Sequence, residues 1–163
     1  FTIADLVNIY NPQWDEFENP DDFFKQSVEL AKRMMIRLIG YSKSVVKSRE
    51  IVSEAIEKAK VDNKLYIILD SEPPWQEIIH EFDSSKLLYV ITCDGKGRWK
   101  SKCIDDNGVD RKKFPESWKG LENEKFANLT GVDTAIFCHF SRFVCAASEK
   151  EDAIKLTEMA IKA

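Results

Sequence analysis

The sequence contains few of the residues from which metal-dependent or nucleophilic active sites are usually built. Its only histidines are His80 and His139, and none of its four cysteines belongs to a Cys-x-x-Cys pair. Catalytic metal sites gather several His, Cys, Asp or Glu ligands around an open position, and the spacing predicts no such site. The chain also lacks a Gly-x-Ser-x-Gly nucleophile elbow, a phosphate-binding loop and a dinucleotide fingerprint. We therefore expect no catalytic residue and no metal ligand in this sequence.

Long apolar runs and an excess of basic charge are also missing. No run approaches the about 18 apolar residues of a membrane-spanning helix, so no membrane partner is expected. The formal net charge is -4, whereas dedicated duplex-DNA binders are usually basic, so nucleic acid would need a local patch or another domain. The four cysteines stand in apolar or strand-like runs, which predicts reduced core thiols in an intracellular compartment. Because the chain begins with Phe1 rather than Met, we expect it to be part of a longer protein.

Helical periodicity dominates the first third of the chain. An Asn-Pro-Asp-Asp segment at residues 19–22 is a typical helix start, and apolar residues then recur at helical spacing. This pattern predicts one long helix over residues 20–59, or two helices that meet near Gly40. Near the other end of the chain, a capping box of Ser148 and Glu151 predicts the start of a closing helix.

Short apolar runs between these helices predict β-strands. The predicted strands cover residues 65–69, 86–93, 97–104, 135–140 and 143–147. A turn at Asp94-Gly95 joins the second and third strands as a hairpin, residues 105–108 are a loop, and residues 73–82 contain a short helix. The expected fold class is α/β (α+β), a mixed sheet of about five strands packed with helices and preceded by a long N-terminal helix. We divide it into an arm and long helix (residues 1–60) and an α/β domain (residues 61–163).

Three polar residues stand at the end of the fourth predicted strand. In an extended strand His139 and Ser141 share one face, and Arg142 leads into the next strand. Imidazole, hydroxyl and guanidinium groups gathered at a strand end could bind a phosphate or ribose oxygen. The alternative is a histidine with satisfied hydrogen bonds at a sheet edge beside a turn.

Basic residues alternate along the third predicted strand. Lys96, Arg98, Lys100 and Lys102 share one face. They could form a basic strip along a nucleic-acid backbone, or simply the solvated side of an antiparallel strand. No aromatic residue stands among these cations on their own face, so a base-stacking platform is not predicted there.

Several motifs occur in an order that is specific as a set. Asn11-Pro12-Gln13-Trp14, Pro74-Trp75 and Gly97-Arg98-Trp99 are followed by Pro115-Glu116-Ser117-Trp118-Lys119-Gly120-Leu121 and Ile136-Phe137-Cys138-His139-Phe140-Ser141-Arg142-Phe143. In order and approximate spacing this set resembles the Myg (melanocyte-proliferating-gene) family, a branch of the DHH phosphoesterases. The resemblance covers essentially the whole chain.

The resemblance implies a metal-dependent hydrolase, with the 3′→5′ RNA exonuclease activity of nuclear and mitochondrial members. It places the Asp and His ligands of divalent Mn or Mg in an N-terminal DHH domain, and no Asp-His-His occurs in this chain. The chain then corresponds to the C-terminal, DHH-associated half, which would bind substrate but not be catalytic alone. Expected partners are RNA or a small phosphorylated substrate, the protein's own DHH domain and, as an open question, a second copy. The expected compartment is intracellular: the cytoplasm, the nucleus or the mitochondrion.

The expected substrate-binding residues are His139, Ser141, Arg142 and Phe143 at the strand end, together with Arg98 and Lys100 of the basic strip. His139, Ser141 and Phe143 match the family's His-x-Ser-Gly-Phe stretch, but Arg142 replaces the glycine, and Val144-Cys145-Ala146 lacks the glycine pair that commonly follows. Since glycine allows close approach of a ligand to the backbone, these changes argue against close contact at this loop. A second hypothesis is therefore an interaction or dimerisation module in which the helix over residues 20–59 buries its apolar stripe against another subunit. A domain that only stabilises its N-terminal partner is a third.

Overall fold

The structure, a computed structural model, describes residues 2–17 and 19–163. It divides into two compact units, residues 1–46 and residues 47–163, which are described separately. The division falls inside the long helix, earlier than the domain boundary predicted after residue 60. The assignment of separate roles to the two parts of the chain stays a prediction.

Among the described residues of the first unit, the regular structure consists of one short helix and the part of a second, long helix up to residue 46. Helix α1 (Ile3–Asn8) begins with a capping box in which the Thr2 hydroxyl accepts from the Asp5 N–H and the Asp5 carboxylate accepts from the Thr2 N–H. Helix α2 (Pro20–Val61) follows, and the Asn19 carboxamide oxygen accepts from the Asp21 N–H at its start. With 42 residues, α2 continues through Gly40 without interruption, so the one-helix alternative is confirmed.

A mixed five-stranded sheet forms the centre of the second unit. Its strands are β1 (Tyr66–Leu69), β2 (Tyr89–Cys93), β3 (Trp99–Cys103), β6 (Ala135–Cys138) and β7 (Val144–Ala147). The order across the sheet is β1-β2-β3-β7-β6, in which β1 and β2 are parallel and all other neighbours are antiparallel. Helices α3 (Asn123–Thr130) and α4 (Lys150–Lys162) complete the unit. The predicted fold class is confirmed.

One face of the sheet packs against α4. In the middle of this contact the Thr157 hydroxyl lies 2.8 Å from the Ser101 hydroxyl, and both side chains are fully buried. Three aromatic side chains extend the core: Phe114 lies 4.9 Å from Tyr89 and 6.0 Å from Trp118, measured between ring centroids. Burial of each such ring stabilises the fold by roughly 1.5–3 kcal/mol. Phe114 and Trp118 therefore hold residues 114–118 against the core on this face of the sheet.

The last turns of α2 belong to the core of the second unit. Val52, Ile56 and Ala59, spaced by four and three residues, are buried. None of the helices among the described residues has both the length and the apolar character that crossing a membrane requires.

Three local predictions were wrong. The predicted loop at residues 105–108 is part of a small hairpin, residues 105–110, formed by β4 (Asp105–Asp106) and β5 (Val109–Asp110). It forms because Asn107 and Gly108 both adopt the positive φ that a two-residue turn needs. The predicted short helix is a pair of 3-10 turns, Trp75–Glu77 and Ile79–Glu81. The predicted capping box is not formed, because α4 starts after Glu149 and the Ser148 N–H donates to the Thr134 carbonyl instead.

Candidate functional site

A tight hairpin loop, residues 139–143, joins β6 to β7 and carries four of the predicted site residues. The His139 N–H donates to the Val144 carbonyl at 2.9 Å, and the Arg142 N–H donates to the His139 carbonyl at 2.8 Å. Arg142 has a φ of 62°, the left-handed conformation that glycine adopts without strain. The turn therefore requires the backbone geometry for which glycine is suited, although arginine occupies the position.

The ring of His139 is held by its own loop. Its Nδ1 accepts from the Ser141 N–H at 3.1 Å, and its ring lies edge-to-face with Phe143 at 4.7 Å between centroids. Because Nδ1 is the acceptor, the neutral imidazole carries its proton on Nε2, which can donate to a phosphate or ribose oxygen. The structure thus brings together His139, Ser141 and Phe143, all of which are exposed.

The guanidinium of Arg142 is engaged within the protein. It donates to the Phe114 carbonyl at 2.9 Å and forms an ion pair of 2.8 Å with the Glu116 carboxylate. The Phe114 N–H in turn donates to the Arg142 carbonyl. Arg142 thus connects the loop to residues 114–116. A substrate phosphate would have to compete with the Glu116 carboxylate for the Arg142 guanidinium. The role of Arg142 in binding substrate stays a prediction.

Of the predicted basic strip, only Lys100 and Lys102 lie on β3, opposite the buried Ser101 and Cys103, whereas Lys96 and Arg98 precede the strand. The charges of the two strand lysines are compensated. Lys100 lies 3.5 Å from both the Glu72 and the Asp94 carboxylates, and Lys102 lies 3.7 Å from Glu72. Both lysine side chains are mostly buried. A phosphate on this strip would therefore meet cations that already have acidic partners.

Asp94 is the acidic centre of this cluster. Burial opposes its ionisation, but hydrogen bonds from the backbone N–H groups of Arg98 and Lys96 and from the Arg98 guanidinium outweigh it and hold the pKa of Asp94 at about 2. The carboxylate is ionised at neutral pH and fixes the turn between β2 and β3. The sequence predicted a turn at Asp94-Gly95, and the hydrogen bonds to the Asp94 carboxylate are what stabilise it.

The loop and Arg98 lie at opposite ends of β3. The Cys103 N–H donates to the Phe143 carbonyl at 2.8 Å, which places the end of β3 beside the loop. Arg98 precedes Cys103 by five residues, or about 16 Å of extended strand. A single phosphate cannot contact both His139 and Arg98, whereas an extended polymer could.

Comparison with known proteins agrees with the resemblance of the motifs. The family model MYG1_exonuc, described as Uncharacterised protein family (UPF0160), matches residues 1–161. The chain belongs to this family. A MYG1 protein of Saccharomyces cerevisiae is 27% identical over 174 residues, which cover 98% of this chain and 52% of the relative. The MYG1 exonuclease of Homo sapiens is 26% identical over 168 residues, covering 95% and 45% of the two chains.

This member of the MYG1 family spans about half the length of the curated relatives that it matches. A third relative, the MYG1 protein of Dictyostelium discoideum, shows the same relation, with 28% identity over 162 residues and 48% of its length covered. No solved structure matches the chain.

Metal-binding donors do not gather in the part of this MYG1 family chain that the structure describes. Within residues 2–17 and 19–163, no three His, Cys, Asp or Glu side chains are grouped so that they could hold an ion. His80 is exposed, with Nδ1 3.7 Å from the Asp106 carboxylate. The donor set of the described residues therefore does not fit a catalytic divalent metal.

The four cysteines are free thiols, and three of them, Cys103, Cys138 and Cys145, are buried. Burial raises the pKa of Cys103 to about 12 and that of Cys138 to about 11. Such thiols are poor nucleophiles at neutral pH, and the interpretation as core thiols is confirmed for these three. Cys93 is only half-buried.

Lys119 and Gly120 lie beside the loop and were not among the predicted site residues. Lys119 Nζ lies 4.4 Å from the ring centroid of Phe140, whose side chain is 67% exposed. The Gly120 N–H donates to the Cys138 carbonyl at 3.1 Å, and this bond brings the Trp-Lys-Gly motif against the loop. The sequence contains both motifs, but no periodicity indicates that they are neighbours.

Proposed function

We propose that this chain is the substrate-binding part of a MYG1-type exonuclease that acts on RNA or a small phosphorylated substrate. The observation that carries the proposal is the family match over residues 1–161, together with relatives named MYG1 exonuclease. In this proposal the 3′→5′ cleavage depends on Mn or Mg held in a DHH domain, in the part of the relatives that this chain does not span. The chain contributes binding and orientation, and the hydrolytic step takes place elsewhere.

The loop of residues 139–143 is the proposed contact with the substrate backbone. Its exposed imidazole can donate from Nε2, and its backbone is fixed by hydrogen bonds, so little ordering is needed on binding. Arg98 and Lys100 would contact phosphates farther along an extended strand. Because Glu72 and Asp94 already compensate them, we expect these contacts to be weak and strongly dependent on salt.

Binding of a short single-stranded RNA, measured by fluorescence anisotropy at several salt concentrations, tests the proposal. Replacing Lys100 by glutamine should lower the salt slope by about one phosphate contact. Replacing His139 by alanine should weaken binding, because a donor to the backbone is lost. Lys43→Gln, which removes the same charge from an exposed position on α2, is the matched control and should leave the slope unchanged.

The division of labour has its own check. The purified chain should release no nucleotides from RNA in the presence of Mn or Mg. Nuclease activity that stays with the purified chain through every purification step would contradict the proposal. A complete lack of RNA binding at low salt would contradict RNA as the substrate.

Self-association is a second candidate function, and an apolar seam on α2, exposed at three of its six positions, favours it. Within the first unit, apolar residues recur alternately at spacings of four and three, the heptad pattern of helices that pair, interrupted once by Ser42. The seam consists of Phe24, Val28, Ala31, Met35, Leu38 and Val45. Phe24, Met35 and Leu38 are between 54% and 69% exposed. Lys25 and Lys32 beside the seam pair with Asp22 and Glu29 of the same helix, so they need not repel a second copy.

Sedimentation of the chain separates the two candidates. If α2 pairs with a second copy, the chain sediments as a dimer, and Leu38→Glu converts it to a monomer because a charge is placed in the seam. Ile36→Glu is the matched control, since Ile36 is 68% exposed on the same helix but outside the seam. A tight dimer whose RNA binding is unaffected by Lys100→Gln and His139→Ala would favour the second candidate alone.

A further inference from the structure

Phe140 presents a large aromatic surface at the tip of the hairpin between β6 and β7. Its side chain is 67% exposed, although single exposed apolar residues are common and mean little by themselves. The neighbours of this ring make it different. Lys119 Nζ lies 4.4 Å from the ring centroid, and the exposed His139 precedes Phe140 in the chain.

The position of the Phe140 ring is set by the backbone around it. The loop is closed by the hydrogen bonds of His139 and Arg142, and Gly120 lies against the ring: a Cβ on Gly120 would meet Phe140 Cδ2 at 3.5 Å. Because Phe140 is 67% exposed, most of its surface is accessible to a flat ligand. A ring held in this way loses little conformational freedom on stacking.

The charges beside the ring indicate which flat ligand fits. Lys119 is a cation that also pairs with Glu116 at 3.4 Å, and His139 can donate from Nε2. An aromatic surface flanked by a cation and a neutral donor suits a nucleobase whose adjoining phosphate and ribose carry acceptor oxygens. We propose that Phe140 stacks on a nucleobase of a single-stranded nucleic acid, with Lys119 and His139 beside its sugar-phosphate. This inference rests on the proposed function and adds the base contact to it.

The experiment compares two strands that share the same phosphates. One is a short oligoadenylate, and the other is an abasic strand of equal length; binding of both is followed by anisotropy for the wild-type chain and three variants. Phe140→Ala should weaken binding of oligoadenylate about tenfold and leave the abasic strand unaffected. Phe140→Trp should restore binding, whereas Phe17→Ala, at a 97% exposed phenylalanine of the first unit, should have no effect.

The outcomes separate the inference from the proposed function. If the wild-type chain binds both strands equally, or if Phe140→Ala weakens both equally, the chain binds phosphates but the stacking inference is wrong. If neither strand is bound at low salt, the inference fails together with nucleic acid as the substrate of the proposed function. If Phe140→Ala changes the sedimentation of the chain and not its binding of oligoadenylate, Phe140 belongs to a protein interface, which also overturns the inference. Unchanged circular dichroism and melting confirm that the variants are folded, as expected for an exposed position.

Discussion

Two opposing contributions meet at Arg142, and a pair of substitutions can separate them. Its φ of 62° costs a residue with a Cβ about 1–2 kcal/mol relative to glycine. Its guanidinium offsets this cost by a hydrogen bond to the Phe114 carbonyl, worth about 1 kcal/mol, and by a pair with Glu116, worth about 0–1 kcal/mol at a partly exposed site. Arg142→Ala removes the guanidinium and keeps the backbone cost, whereas Arg142→Gly removes both.

The expected order of stability follows from these numbers. Arg142→Ala should lower the free energy of unfolding by about 1–2 kcal/mol, and Arg142→Gly should be about 1 kcal/mol more stable than Arg142→Ala and close to the wild type. Urea unfolding followed by tryptophan fluorescence measures the difference, which corresponds to about 2–4 °C in melting temperature for a chain of this size. Lys119, with a φ of -53°, is the control: there the glycine variant should be less stable than the alanine variant. An alanine variant at position 142 as stable as the glycine variant would refute the strain argument.

Three further predictions concern the core and the acid response. Phe114→Leu removes ring contacts with Tyr89 and Trp118 and should cost about 1–3 kcal/mol in urea unfolding, whereas Phe140→Leu should cost less than about 0.5 kcal/mol. Thr157→Val leaves the buried Ser101 hydroxyl unpaired and should cost about 1–3 kcal/mol, much of which the added change Ser101→Ala should recover. Because the pKa of Asp94 is lowered to about 2, its contribution to stability is complete above pH 3.8 and is lost as the pH falls through 2. Acid unfolding of Asp94→Asn should therefore depend less on pH over this interval, and an identical dependence would contradict this assignment.

The sheet could be predicted because each of its strands carries a local signal. Apolar runs bounded by turn residues predict β1, β2, β6 and β7, and the alternation of cations with uncharged residues predicts β3. The hairpin at Asn107-Gly108 could have been found as well, because that dipeptide favours a two-residue turn. It was missed because its flanking strands are two residues each and mostly acidic, so they contain no apolar run.

The ion pairs of the candidate site could not be predicted from the same patterns. The carboxylates that compensate Lys100 and Arg142 belong to Glu72 and Glu116, which are 28 and 26 positions away in sequence. Strand alternation shows which side chains share a face, but not which distant loop crosses that face. The contact between Lys119 and Phe140 could not be predicted either, because it depends on a hydrogen bond between two motifs that are separate in the sequence.

The acidic partners of the cations limit how strongly the phosphates of a nucleic acid would be bound. A phosphate that approaches Lys100 is repelled by the nearby carboxylates of Glu72 and Asp94. The net gain in binding free energy from each phosphate is therefore small, and it decreases further as salt is raised. Stacking on Phe140 does not depend on counterions and should keep its value as salt is raised. If the proposed function holds, the base contact therefore supplies a growing share of the affinity toward physiological salt. The ratio of affinities for oligoadenylate and the abasic strand should accordingly stay constant while both absolute affinities fall.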